Sequence, residues 1–314
     1  MPTVRYGEHA CELLDQESAL DGLLRSGAPV SYSCKAGSCG SCMLRAVEGS
    51  VPRRAQEGLK DSWKARGYFL ACVCHPEEDL LASGVDADAQ VPAIITALEP
   101  LSADVLRVRL RCGAPFEFRP GQYVTLVRDD GLARSYSIAS LPEEDTLELQ
   151  VRLLAQGRMS DWLRSQAHVG DRVRILGPSG ECFYVPGNPD QPLLLVGTGT
   201  GLAPLYGILR DALQHGHRGP IHLFHGALQE AGLYLRDELA RIAAQNSNFE
   251  YVPSLLNVSG PVDQVVLNRF PKLAGWRGYL CGDPTLVRTL KKKLFLQGMD
   301  LRDIYADAFL PAAS

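Results

Sequence analysis

Residues 34–42 read CKAGSCGSC, and a fourth thiol, Cys72, follows after 29 intervening residues. Cys34, Cys39, Cys42 and Cys72 therefore stand as C-x4-C-x2-C…C, a ligand spacing for a [2Fe–2S] cluster. The chemistry explains the pattern. Two irons need four thiolates; one tight loop supplies three from one side, and a distant segment must return with the fourth. Gly37 and Gly40 let the loop fold its amides toward the sulfurs, where N–H···S contacts tune the potential. Structural zinc is the competing reading, but zinc sites pair their cysteines in C-x2-4-C knuckles, and here there is one triple and one single. Cys74 competes with Cys72 for the fourth place. Cys72 is favoured because it follows the apolar run Tyr68-Phe69-Leu70-Ala71, whereas Cys74 adjoins a turn at His75-Pro76. A Rieske centre would need two histidines, so His75 is read as a surface residue.

The rest of the chain bounds what such a cluster can serve. With 314 residues, 46% hydrophobic, it can bury more than one core, and two or three domains are expected. Net charge is −4 with no basic tract, which argues against nucleic acid as a partner. No run approaches the ~18 apolar residues of a membrane span. The N-terminus MPTVRYGEHACELL lacks a signal core, so a cytoplasmic protein is expected. The nine cysteines are odd in number, which argues against a closed disulfide set.

Outward from the cluster, three regions emerge. Residues 1–82 hold the cysteines, and 83–92 read as a linker. Residues 93–187 give short alternating runs at 94–97, 105–110, 122–127, 147–153 and 172–176, punctuated by Gly and Pro, as in an antiparallel barrel. Residues 188–314 switch pattern. Buried runs at 193–196, 221–225 and 279–281 alternate with helical stretches at 202–215, 237–245 and 284–297, which argues a parallel sheet covered on both faces.

Two of these regions carry phosphate-binding signals. The run 193–196 enters Gly197-Thr198-Gly199-Thr200-Gly201-Leu202-Ala203-Pro204, where a tight glycine turn opens a helix. Backbone amides and a helix N-terminus would face a pyrophosphate there. Cys281-Gly282-Asp283-Pro284 ends another strand of the same sheet. In the middle region, Gly157-Arg158-Met159-Ser160 precedes a helical stretch from Asp161, a second anion seat through its amides and the Ser160 hydroxyl.

On these motifs the first 82 residues resemble plant-type ferredoxins, and the remainder resembles the ferredoxin–NADP reductase superfamily. In this order the two resemble reductase components of bacterial multicomponent oxygenases. LAGWRGYLCGDP at 273–284 and DIYADAFLP at 303–311 are similar to the naphthalene-dioxygenase type. The resemblance implies a β-grasp ferredoxin domain, an antiparallel β-barrel flavin domain and an α/β nucleotide domain. It implies FAD, held by the R-x-Y-S segment Arg134-Ser135-Tyr136-Ser137, by Val151 and Arg152, and by Gly157, Met159 and Ser160. Arg134 would fork onto the diphosphate, Tyr136 would face the ring, and Ser137 would lie near N5. Cys281 would shape the nicotinamide pocket and Phe309 would lie on the flavin's other face.

NADH is expected over NADPH. After the run 221–225, no cation appears before Arg236, and Glu230 would repel a 2′-phosphate. The expected reaction takes hydride from NADH and delivers single electrons to a ferredoxin or terminal oxygenase, the chain acting as a monomer. A cytochrome P450, a deoxysugar dehydratase or a non-catalytic relay are the other readings. Hydride transfer needs no acid or base, so His168, His215, His217, His222 and His225 are left unassigned. All but His222 are read as loop or helix-end residues.

Overall fold

The computed structural model describes residues 1–310, and three sheets follow one another along the chain. The first contains β1 (Thr3–Tyr6), β2 (His9–Glu12), β3 (Met43–Glu48), β4 (Tyr68–Leu70) and β5 (Leu80–Ser83) in the order β2-β1-β5-β3-β4. Only β1 and β5 pair in parallel. Helix α1 (Ala19–Arg25) packs Ala19, Leu20 and Leu23 into the core; the Ser18 hydroxyl caps it by accepting from the Asp21 N–H. A mixed sheet clasping one helix is the β-grasp expected from the sequence. A short helix, α2 (Asp61–Ala65), precedes β4.

The second sheet is antiparallel throughout. Its strands are β6 (Val91–Pro100), β7 (Val105–Cys112), β8 (Tyr123–Val127), β9 (Ala133–Ser137), β10 (Leu147–Arg152) and β11 (Arg172–Ser179), ordered β10-β7-β6-β11-β8-β9. A bridge between Ile138 and Leu149 joins the two outer strands and closes the barrel. Helix α3 (Arg158–Ser165) sends Met159 and Leu163 into the barrel core. Strand β6 is longer than its sequence suggests. Val91 pairs with Ile175 and so lies inside the stretch read as linker, while Ser83 belongs to β5.

The third sheet is wholly parallel: β12 (Leu193–Thr198), β13 (Ile221–Ala227), β14 (Phe249–Leu255), β15 (Arg277–Gly282) and β16 (Ile304–Ala308), ordered β14-β13-β12-β15-β16. Alternate residues of β12 serve opposite cores. Leu193 and Leu195 pack with α4 (Leu202–Gln214) and α5 (Arg236–Gln245), whereas Leu194 and Val196 pack with residues of α7 (Val262–Arg269) and α8 (Pro284–Leu296). A one-turn helix, α6 (Leu256–Ser259), links β14 to α7.

The first two units share a core, because Val127, Ala133 and Leu176 of the barrel pack among the buried residues of the first sheet. Hydrogen bonds reinforce the contact: Ala133 N–H donates to Ser31 Oγ at 3.0 Å, and Tyr123 OH donates to the Ser38 carbonyl at 2.6 Å. Barrel and third sheet meet at Tyr234, whose OH donates to Gln150 at 2.9 Å. No helix among the described residues is long and apolar enough to cross a membrane.

Candidate active site

Cys34, Cys39 and Cys42 lie on the loop between α1 and β3, and Cys72 on a 3-10 turn directly after β4. The β3–β4 pairing draws Cys42 and Cys72 together, and the Ala71 N–H donates to the Cys42 carbonyl. The thiols fall into two couples. Contact with the Cys39 thiol holds Cys34 well below the usual thiol range, aided by Ser38 Oγ at 3.4 Å and the Ala36 N–H at 3.3 Å. Contact with the Cys42 thiol likewise lowers Cys72, while Cys39 and Cys42 are raised by those same partners and by burial. Two couples of thiols suit two irons, each taking a pair. Cys74 faces the other way. It is fully buried, its thiol is pushed up to about 12 by that burial, and its carbonyl accepts from the Ala19 N–H of α1.

A cleft of about 1280 Å³ runs where the three sheets meet. Ser33, Cys34, Ser38 and Cys39 wall one end; Tyr123 and the β9 residues Arg134, Ser135, Tyr136 and Ser137 wall the middle. Arg152, Gly157, Met159 and Ser160 continue it, and Thr198, Gly199 and Thr200 wall it beside Gly282, Asp283, Pro284 and Phe309. The strand order reverses between β12 and β15, so their carboxyl ends diverge and open the crevice in which doubly wound sheets bind ligands. Gly199 adopts φ 54°, a left-handed conformation that a side chain disfavours. Gly201 presses on the Cys281 carbonyl, where a Cβ would collide. Helix α4 follows with no side-chain cap; its first N–H, from Leu202, turns back to the Gly199 carbonyl.

Several expected residues sit otherwise than the sequence suggests. Val151 is fully buried in the barrel core, because alternation along β10 turns it inward. The Ser160 hydroxyl is engaged, accepting from the Leu154 N–H at 3.0 Å, so the seat at α3 offers backbone rather than that hydroxyl; α3 itself begins at Arg158. Asp283 caps α8, accepting from the Leu286 N–H at 2.8 Å with Pro284 in the first turn. One Arg134 nitrogen donates to the Tyr32 carbonyl at 2.9 Å, tying the flavin strand to the first unit. Gly197, Gly201, Pro204 and Cys281 lie beneath the cleft wall. Cys281 is fully buried with Sγ 3.6 Å from Cys182 Sγ, and burial keeps its thiol protonated and non-nucleophilic. His225 is a buried strand residue of β13, not a loop residue; burial lowers its ring to about 4, and it contacts the Tyr251 hydroxyl at 3.2 Å.

The sequence reading passed over Asp307. Ser137 Oγ donates to Asp307 Oδ2 at 3.4 Å, and burial pushes that carboxyl up to about 6 against the hydrogen bond, which lowers it. Its signal was the lone acid inside the ADAF run ending at Phe309. Pro311, the last residue of the quoted motif, lies outside the described residues. Beyond β13, Arg236 is paired with Glu230 at 2.6 Å, so the nearest cation is already neutralised.

Paired thiols, a flavin-sized cleft and a dinucleotide turn, all facing one another, define an iron–sulfur flavoprotein oxidoreductase. Residues 6–77 match the 2Fe-2S iron-sulfur cluster binding domain, 92–184 the oxidoreductase FAD-binding domain and 195–292 the oxidoreductase NAD-binding domain. The ferredoxin–NAD(P)+ reductase component of the naphthalene 1,2-dioxygenase/salicylate 5-hydroxylase systems of Ralstonia sp is 35% identical over 93% of each chain. Its counterpart in the naphthalene 1,2-dioxygenase system of Pseudomonas putida is 34% identical, again over 93% of each. The crystal structure of an Amycolatopsis cytochrome P450 reductase superposes with a TM-score of 0.70 at 32% identity, covering 100% of both chains. The chain belongs to the family of ferredoxin–NAD(P)+ reductase components of multicomponent oxygenase systems, and it uses FAD, a nicotinamide and a [2Fe–2S] cluster.

Proposed function

We propose that this reductase takes hydride from NADH and supplies single electrons to the ferredoxin or terminal oxygenase of an aromatic-oxygenase system. The observation that carries this is the shared cleft: Cys34 and Cys39 stand in the same wall as the Arg134–Ser137 strand and the Gly199 turn. Bound FAD supplies the conversion from hydride to single electrons, and a cluster on Cys34, Cys39, Cys42 and Cys72 carries them onward.

The residues present fit both groups. The remaining Arg134 nitrogens would neutralise the charge of a bound diphosphate, and Tyr136 in the cleft wall would pack against the ring. Ser137, anchored by Asp307 in the cleft wall, would offer its oxygen to the flavin ring when FAD is bound. Cys281 lies buried beneath, and the glycine turn ahead of α4 would receive the pyrophosphate of a bound dinucleotide. These groups orient the two rings and exclude water; none acts as nucleophile. The Glu230–Arg236 pair supports NADH over NADPH, because a 2′-phosphate would meet the carboxylate first. Nine cysteines, four assigned to the cluster and none in a disulfide among the described residues, suit a reducing cytoplasm, with the protein working as a monomer.

Absorption spectra of the purified protein, before and after anaerobic NADH, test the reading. Flavin and cluster bands that bleach together are expected; a colourless protein after anaerobic reconstitution would refute it. A cytochrome P450 acceptor is the second reading, favoured by the full-length likeness to the Amycolatopsis P450 reductase. Comparing electron delivery to a Rieske-type oxygenase and to a P450 separates the two.

A further inference from the structure

Strand β8 presents every second residue to the iron–sulfur unit. Val124 and Leu126 fill the barrel core, whereas Tyr123, Thr125 and Val127 point the other way. Of these, Tyr123 donates to the Ser38 carbonyl and Val127 packs into the neighbouring core. Thr125 is buried, pairs in register with Ser135 of β9, and lies 3.1 Å from it, hydroxyl to hydroxyl. Both hydroxyls donate to one acceptor, the Cys39 carbonyl, Thr125 from 3.3 Å. Two side-chain donors on a single loop carbonyl, the buried Thr125 and the half-buried Ser135, fasten that loop to the barrel. Cys39 is also in the cleft wall beside Ser135 and Tyr123. Thr125 itself stands behind that wall, clear of the flavin seat.

We propose that Thr125 is a positioning residue for electron transfer out of the flavin cleft: by holding the Cys39 carbonyl, it fixes the ligand loop against the cleft wall. The inference rests on the reading of Cys39 as a cluster ligand and of the cleft as the flavin seat. The step moves one electron from reduced flavin to oxidised cluster, with no bond made or broken and NADH as the source. Its rate depends on how closely and how constantly the ligand loop is held, and that constancy is what the hydroxyl provides.

The test uses the full-length holoprotein carrying Thr125→Val, which keeps the shape and deletes the donor. Anaerobic stopped-flow mixing with NADH follows flavin bleaching and cluster reduction at separate wavelengths, and an EPR-monitored titration gives the cluster potential. Cluster reduction is expected to slow roughly three- to tenfold, the population change that one hydrogen bond of ordinary net strength controls. Flavin reduction by NADH and the cluster potential are expected to match wild type, and Thr125→Ser is expected to restore the rate. Wild-type cluster reduction in Thr125→Val, equal slowing in Thr125→Ser, or a shifted potential that accounts for the slowing would each overturn the proposal. Thr125→Ala, read in the same way, serves if the valine variant folds poorly. A Cys39→Ser protein that keeps its cluster absorbance refutes the underlying ligand reading instead, whatever Thr125 does.

Discussion

Replacing Asp307 with Asn should make the protein more stable at neutral pH, and the gain should fade in acid. The folded carboxyl titrates at about 6, because β16 carries it into the cleft wall and only Ser137 compensates it. An unfolded aspartate titrates near ~3.9. Between those values the folded chain holds a proton that the unfolded chain has released, so stability falls as pH rises from about 4 to about 6 and is level above. Two pH units correspond to roughly 2–3 kcal/mol, and the half-open cleft trims this to about 2 kcal/mol at pH 7.5. At pH 5 about half of that penalty has gone. Asn keeps an oxygen to accept from Ser137 and carries no charge. Scanning calorimetry at both pH values should therefore place the variant above wild type at pH 7.5, by ~1–2 °C per kcal/mol, with a smaller gap at pH 5. A variant no more stable at pH 7.5, or equally stabilised at both, would refute the argument. Turnover of ferricyanide by NADH should fall in the same variant, because the charge that Ser137 donates to in the cleft wall is lost.

Other substitutions separate the modules. Cys39→Ser should erase the cluster's visible absorbance while NADH–ferricyanide activity through the flavin persists, whereas Cys74→Ser should keep the absorbance and lower the melting temperature, since it buries a hydroxyl among apolar neighbours. Gly199→Val should raise KM for NADH several-fold with flavin content unchanged, because the left-handed turn is lost; an unaltered KM would place the dinucleotide elsewhere. Glu230→Gln releases Arg236, and kcat/KM for NADPH should rise on the order of tenfold, the worth of one hydrogen bond to a charged group; an unchanged ratio of NADPH to NADH would show that this pair does not set the preference.

The cysteine loop and the glycine turn were legible because each is a local device whose spacing is fixed by what it must surround. Buried parallel strands were legible for a similar reason: Leu193–Val196 is apolar on both faces, and Ile221–Ala227 is buried along most of its length despite two histidines. Strand β16 was not, since an edge strand reading IYADA is half-exposed and carries no apolar run. Strand β9, read only as a flavin-holding segment, is also the seam that ties the barrel to the iron–sulfur unit through Ala133, Arg134 and Ser135. Asp307 and Thr125 escaped notice because their significance is tertiary. One lies 170 residues from Ser137 and the other 86 residues from Cys39, and no spacing rule connects such pairs. Val151, expected beside the flavin, turns its side chain into the barrel core and so presents only its backbone toward the cleft side of β10.

The common core of Val127, Ala133 and Leu176 with the first sheet makes the iron–sulfur unit a fixed terminal, not a tethered shuttle. An acceptor must come to it. Delivery to that acceptor should therefore scale with acceptor concentration and ionic strength, while the internal hop from flavin to cluster should be indifferent to solvent viscosity.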